Sequence, residues 1–352
     1  MIQTKTKTEL EAQYRAVKMD SSSSLKEFSM DRKKYYKRYY LGEKVEDKPV
    51  YAAIMGQVVE TLLLEPEEFD NRFYLSTSTS APSGLMLEFV EALYTATKNA
   101  TNQNGEVTRT MADMTLEAYG ASGFKIKYEA VLAKFMGSDA EAYYNEIRLV
   151  RSQNLTVVTT NDVSNAERIV NELKTNFVTS GIINLVTSKN YTVLNQLQVE
   201  GYEVEDWLFK SMMDKVVIDH KKRTIQVYDL KCTWSVEGFY TEYYLHRRSY
   251  IQAYLYWKAA ESLTLDTNSE YYGYTALLPQ FIVCDSINYM NPLIYTLDID
   301  DMNDALEGFE YKGRTYPGVK ETIHNLKWCI SMDLWNISRT NYTNNGIVNI
   351  KN

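Results

Sequence analysis

Hydrophobic and polar positions alternate most regularly between Asp214 and Lys231. Val216, Ile218, Ile225 and Val227 alternate there with Lys215, Asp219, Thr224, Gln226 and Tyr228, which predicts two β-strands. The polar run His220 to Arg223 between them predicts a hairpin turn. A turn centred between Lys221 and Lys222 sets Ile218 opposite Ile225, Val216 opposite Val227 and Asp214 opposite Asp229. Side chains repeat every second residue, so Asp214, Asp229 and Lys231 would project together at the open end of the hairpin.

Residues 1–20 read as loosely ordered or helical, and one of the hydroxyls of Ser21 to Ser24 should cap a helix starting at Leu25. That helix mixes Lys26, Arg32, Lys33, Lys34, Lys37 and Arg38 with four tyrosines. It is either a phosphate-tracking patch with stacking aromatics, or a helix with Phe28, Tyr35 and Tyr39 in the core and a solvated basic face. The run from Tyr51 predicts a largely buried helix that stops before Pro66, with Gly56 and Glu60 one turn apart on one face. Residues 82–190 read as mainly helical, with polar breaks such as 99–106. Strand character resumes near Val193 and runs into the hairpin. A long amphipathic helix then follows Trp234 and carries His246, Arg247, Arg248, Gln252 and Tyr256. A strand at Gln280 to Cys284 and a helix near 317–333 complete the order. This predicts an α/β protein: an N-terminal helical part of the core (1–81), a helical insertion (82–190) and a catalytic sheet with its motif helix (191–352).

Composition narrows this picture little. Hydrophobic residues make up 45% and charged residues 24% of the 352, as in an ordinary soluble globular protein. The net charge of −8 argues against a protein that coats nucleic acid by bulk charge, while leaving room for a local basic groove. Three widely spaced cysteines, Cys232, Cys284 and Cys329, form neither a disulfide framework nor a metal cluster, which suits a reducing cytoplasm. The N-terminus has no apolar leader and no stretch is long enough to span a bilayer, so a soluble cytoplasmic protein is expected.

Two carboxylates set opposite one another repel unless a cation offsets them, and hard oxygen donors suit Mg2+ or Mn2+. A lysine two residues on would stand beside that ion, placed to orient a water or to stabilise negative charge. The acid-x-Lys pattern alone says nothing, since it recurs at Asp31, Glu46, Glu172, Asp219 and Glu310. Only Asp229 ends an apolar strand whose hairpin partner brings a second aspartate. By itself this hairpin end reads equally as a nuclease site or as a solvated strand end. Glu60 on an apolar helix needs a partner, either a metal or a basic side chain. The arginines at 247 and 248 could meet phosphate or form an exposed basic turn, and His246 reads as a surface histidine.

Taken together, SSSSLKEFSMDRKKYYKRYYLGEK, MGQVVETLLLEPEEF, KSMMD followed by VYDLKC, and QAYLY resemble, in order, the motifs of PD-(D/E)xK nucleases of the RecB-like group. Within that group the chain is most similar to the exonuclease VIII (RecE-type) enzymes of phages and prophages. The resemblance implies a restriction-endonuclease-like core, a mixed sheet flanked by helices, and Mg2+-dependent exonuclease action on linear duplex DNA, 5′ to 3′, in phage-type recombination or repair. It implies Asp214, Asp229, the Leu230 carbonyl and Glu60 as metal ligands, Lys231 as the residue orienting water, and Gln252 and Tyr256 as bracing residues. It also implies a ring-shaped homo-oligomer, a single-strand annealing protein as partner, and no membrane. Glu60 stands where the family usually has histidine. An endonuclease on the same fold and a retired, non-catalytic DNA-binding protein remain as alternatives. A Cas4-like iron–sulfur enzyme is disfavoured by the cysteines. Asp219 is a rival for Asp214, but the pairing puts it at the turn.

Overall fold

A computed structural model describes residues 7–43, 45, 51–76, 81–102, 106–153, 155–289 and 291–348. The opening residues 1–6 and part of the polar break, 103–105, fall outside these. The chain forms two compact units, one built mainly from Glu9–Leu64 and Ile169–Asn352, the other mainly from Glu65–Arg168.

The first unit is mixed α/β. Its sheet contains β1 (Tyr191–Val204), β2 (Trp207–Asp219), β3 (Thr224–Thr233), β4 (Thr275–Ala276), β5 (Gln280–Asp285) and β6 (Leu293–Tyr295). The order is β1-β2-β3-β5-β6, with the short β4 also pairing to β3. Pairing is antiparallel from β1 to β3 and between β5 and β6, and parallel from β3 to β5. The helices that pack around the sheet and the site include α1 (Ser22–Met30), α2 (Tyr51–Leu64), α3 (Ser249–Leu265), α4 (Ile299–Glu307) and α5 (Val319–Met332). The β3–α3–β5 connection joins two parallel strands, and α3 touches β1, β2 and β3 as well as α1 and α4.

The hairpin register is the expected one: Val216 pairs with Val227, Ile218 with Ile225 and Asp219 with Thr224. All four apolar residues are fully buried. At about 1.5–3 kcal/mol per buried side chain, a one-residue slip that turned them out would cost on the order of 6–12 kcal/mol. Asp219 closes the turn, accepting from the Lys221 and Lys222 amides at 3.0 and 2.9 Å.

Several elements differ from expectation. The strand run through 204–207 is two strands, because Glu205 and Asp206 both take left-handed backbone (φ +51° and +55°) and close a two-residue turn. The long helix after Trp234 is broken: a π-helical stretch, Tyr240–His246, ends before Arg248 at φ +55°, where α3 begins. Nor is α3 amphipathic, since every residue from Ser249 to Tyr256 is buried. In the N-terminal segment the cap is Ser21, paired reciprocally with Ser24, so α1 starts at Ser22. Phe28 and Tyr35 are buried there, but Tyr39 is 40% exposed. Two of its basic residues, Lys34 and Arg38, pair with Glu27 at 3.0 and 2.9 Å. Tyr36 and Tyr40 pack on Trp335, which uses two of the tyrosines internally.

The second unit is largely helical. Helices Gly84–Ala100, Met111–Ser122, Tyr128–Phe135 and Asp139–Val150 enclose a core of Phe89, Leu93, Phe135, Tyr144 and Ile147. Its bounds differ from 82–190. Phe73–Leu75 pairs in parallel with Thr156–Val158, which ties residues before 82 into this unit, while the chain returns to the first unit at Ile169. The three-residue strands were invisible as patterns because neither is long enough to show a period.

Candidate active site

Regular pairing of β2 and β3 stops at Lys215 and Tyr228, one step short of the two aspartates. Beyond it the Leu230 N–H donates to Asp214 Oδ2 at 2.8 Å, so a carboxylate takes the place of a ladder carbonyl. Lys231, also on β3, forms an ion pair with Asp229 Oδ2. Asp214, Asp229 and Lys231 thus meet at the end of the hairpin.

Asp229 is 1% exposed. Its Oδ1 accepts from Gln252 Nε2 at 2.8 Å, and the same nitrogen donates to Tyr256 OH at 3.0 Å. The Tyr256 hydroxyl donates in turn to the Met212 carbonyl at 2.7 Å. Gln252 and Tyr256 lie one turn apart on α3, and together they tie that helix to both strands of the hairpin. Burial, then Asp214 and Asp229, holds the Tyr256 hydroxyl in its neutral form, well above the usual range.

Asp214 is half-buried, and burial followed by Asp229 and Glu60 holds its carboxyl well above the usual carboxylate range. Burial alone would lower Lys231, but Asp229, Asp214 and Glu60 raise it instead, so its ammonium is secured. Glu60, on α2, is therefore near enough to act on both. Its carboxylate is gripped by Gln196 Nε2. Gly56, one turn earlier, passes close to Cys232 of β3. No group of three or more His, Cys, Asp or Glu side chains closes around one point among the described residues. What the arrangement offers is a pair of aspartates with a lysine paired to one of them, and a third carboxylate at the margin.

Two further residues belong to this cluster. Lys26 Nζ, from α1, donates to Gln252 Oε1 at 3.0 Å, so a cation orients the amide that holds Asp229. Burial, then Lys231 and Arg247, lowers Lys26 to about 8. In sequence it was one of six basic residues between 26 and 38, with no mark to separate it. Gln196 is the other, and among Asn195, Gln196 and Gln198 nothing in the sequence marks it out. His246 is exposed, and Arg247 lies over the Tyr243 ring at 4.3 Å. Arg248 is half-buried, and its Nη1 has no hydrogen-bond partner.

No family model matches the chain. A stretch covering 43% of it is 24% identical over 160 residues to the restriction of telomere capping protein 5 of Candida tropicalis, and spans 25% of that protein's length. A crystal structure of a candidate exonuclease from Eubacterium rectale aligns with 98% of this chain and 89% of its own, at 12% identity and a TM-score of 0.43. Likenesses this distant carry no argument about activity. The reading rests on the chain's own residues.

Cys232 and Cys284 are direct neighbours on adjacent parallel strands, and all three cysteines are unbridged. No helix among the described residues is long and apolar enough to cross a membrane.

Proposed function

We propose that this chain is a Mg2+-dependent deoxyribonuclease, an exonuclease on linear double-stranded DNA that degrades 5′ to 3′ in phage-type recombination or repair. The observation that carries this reading is the convergence of Asp214, Asp229 and Lys231 at one hairpin end, with Asp214 forced up by burial and then by its acidic neighbours. Acids brought together at such a cost to stability call for a cation.

The donor set fits the ion. Mg2+ is commonly held by one or two carboxylates, with water and phosphate oxygens filling the remaining positions, so a closed cage of three or more protein ligands is not required. Asp214 and Asp229 would hold it, with the Leu230 carbonyl, and with Glu60 directly or through water. Mn2+ would substitute. When bound, the ion supplies Lewis-acid activation of the phosphodiester and lowers the pKa of water. Lys231 would leave Asp229 to orient the attacking water and to stabilise charge on the pentavalent transition state. Gln252, braced by Lys26 and Tyr256, keeps Asp229 in place. A homo-oligomeric ring and a single-strand annealing partner in the host cytoplasm belong to the same proposal.

The test is digestion of end-labelled linear duplex with Mg2+ beside Lys231→Ala, with closed circular DNA as the control for an endonuclease. One observation favours a second reading. Asp229 is already neutralised by Lys231, as it would be in a DNA-binding protein on a retired nuclease scaffold. Mg2+ binding by wild type that Asp229→Ala abolishes would exclude that reading.

A further inference from the structure

Gln196 carries two separate penalties. Its backbone is left-handed at φ +53°, a region that residues other than glycine, asparagine and aspartate seldom enter. Its side-chain Oε1 is buried without a hydrogen-bond partner. On β1, Asn195 pairs with Lys215 and Leu197 with Met213, so Gln196 is skipped at the position opposite Asp214. The deformation that takes it out of the ladder also delivers its amide nitrogen to the Glu60 carboxylate. Its neighbour Asn195 donates from Nδ2 to the Leu64 carbonyl at 2.7 Å, one turn further along α2. The strand therefore grips α2 at two points, and only one of them is an acid. Asn195 suffices as a clamp for the helix. Asn195 Oδ1 is orphaned as well, but only Gln196 joins an orphaned carbonyl to left-handed backbone, directly across from Asp214, and that combination points to a site requirement.

We propose that Gln196 is a positioning residue for the metal-binding carboxylates: its amide fixes the Glu60 carboxylate at the margin of the Asp214–Asp229 pair, from where that acid reaches the ion through water. The inference rests on the nuclease reading. The glutamate of α2 is thereby oriented from β1 by an amide. Outer partners of metal ligands commonly matter by 10–100-fold in affinity.

The test is Mg2+ binding by calorimetry on the full chain without DNA, together with the melting temperature in EDTA, for wild type and Gln196→Gly. Glycine accepts left-handed backbone, so the variant should melt no lower than wild type. Its Mg2+ affinity should fall at least tenfold, and Gln196→Gly should have no further effect in a Glu60→Ala background. Unchanged affinity in Gln196→Gly, or full additivity with Glu60→Ala, would overturn the role of Gln196 and leave the nuclease reading standing. No Mg2+ binding by wild type would overturn both. If the glycine variant fails to fold, Gln196→Asn is judged by the same affinities, since asparagine tolerates this backbone but is one methylene too short to reach Glu60.

Discussion

Replacing Asp214 by asparagine should stabilise the metal-free protein while disabling it. In the fold, burial, Asp229 and Glu60 keep the Asp214 pKa above its ordinary 3.8, so between 3.8 and the raised value the folded state holds a proton that the unfolded chain has lost. Stability therefore falls as pH rises through that window, and the full penalty is in place above it. Every tenfold weakening of the acid corresponds to about 1.4 kcal/mol. Asparagine removes the charge and can still accept from the Leu230 N–H, whose 2.8 Å bond loses about 1 kcal/mol of charge assistance. The balance favours asparagine, and each 1 kcal/mol of gain would raise the melting temperature by roughly 2–4 °C for a domain of this size. Saturating Mg2+ should reverse the order. Wild type gains about 2.7 kcal/mol at a hundredfold excess over Kd, and the variant gains little. Thermal melts in EDTA and in Mg2+, at pH 4 and pH 8, measure all of this. A variant that melts below wild type in EDTA at pH 8 would refute the reasoning, because Asp214 would then be a stabilising partner and not a strained acid.

Other elements can be tested on stability alone. Asp206→Gly should raise stability by about 1 kcal/mol in chemical denaturation, since its φ of +55° suits glycine in this turn; a loss would show that the side chain matters there. Lys210 is 6% exposed and donates to the Tyr14 and Val17 carbonyls at 2.6 and 2.7 Å, at the end of helix Lys7–Ala16. Lys210→Met should cost about 3 kcal/mol, and a change under about 1 kcal/mol would show those carbonyls to be satisfied otherwise. Lys26 should titrate near 8 by NMR of labelled lysine side chains. Between that value and 10.5 the unfolded chain holds the extra proton, so stability should rise with pH across the window; titration at the ordinary lysine value would contradict its burial among cations.

The sheet and hairpin were legible because period-two alternation and turn polarity act over a few residues. The register followed from burying Val216, Ile218, Ile225 and Val227 at once. That same register brings Asp214 and Asp229 to one end and leaves Asp219 at the turn. Where local chemistry was overridden, the reading failed. Glu205–Asp206 forms a tight turn with neither glycine nor asparagine, held by the long strands on either side. Arg248 breaks a pattern that reads as continuous helix, because α3 is buried on every side from Ser249 to Tyr256 and its direction is set by packing. Lys26 joins the cluster across a sequence separation of 226 residues, and Gln196 through a left-handed kink that skips one pair without shifting the register. Neither leaves a mark in the local pattern. The pairing of Lys34 and Arg38 with Glu27 likewise shows that part of a basic run can be spent on one buried acid.

The most direct measurement is digestion of linear duplex DNA labelled at either end, with Mg2+, with EDTA, and with Lys231→Ala. Expected are progressive loss of the 5′ label in Mg2+ alone, an intact closed circle, and loss of activity in the variant by at least about a hundredfold. Wild type that binds Mg2+ yet leaves the duplex untouched, or a Lys231→Ala protein that cuts as fast as wild type, would contradict it.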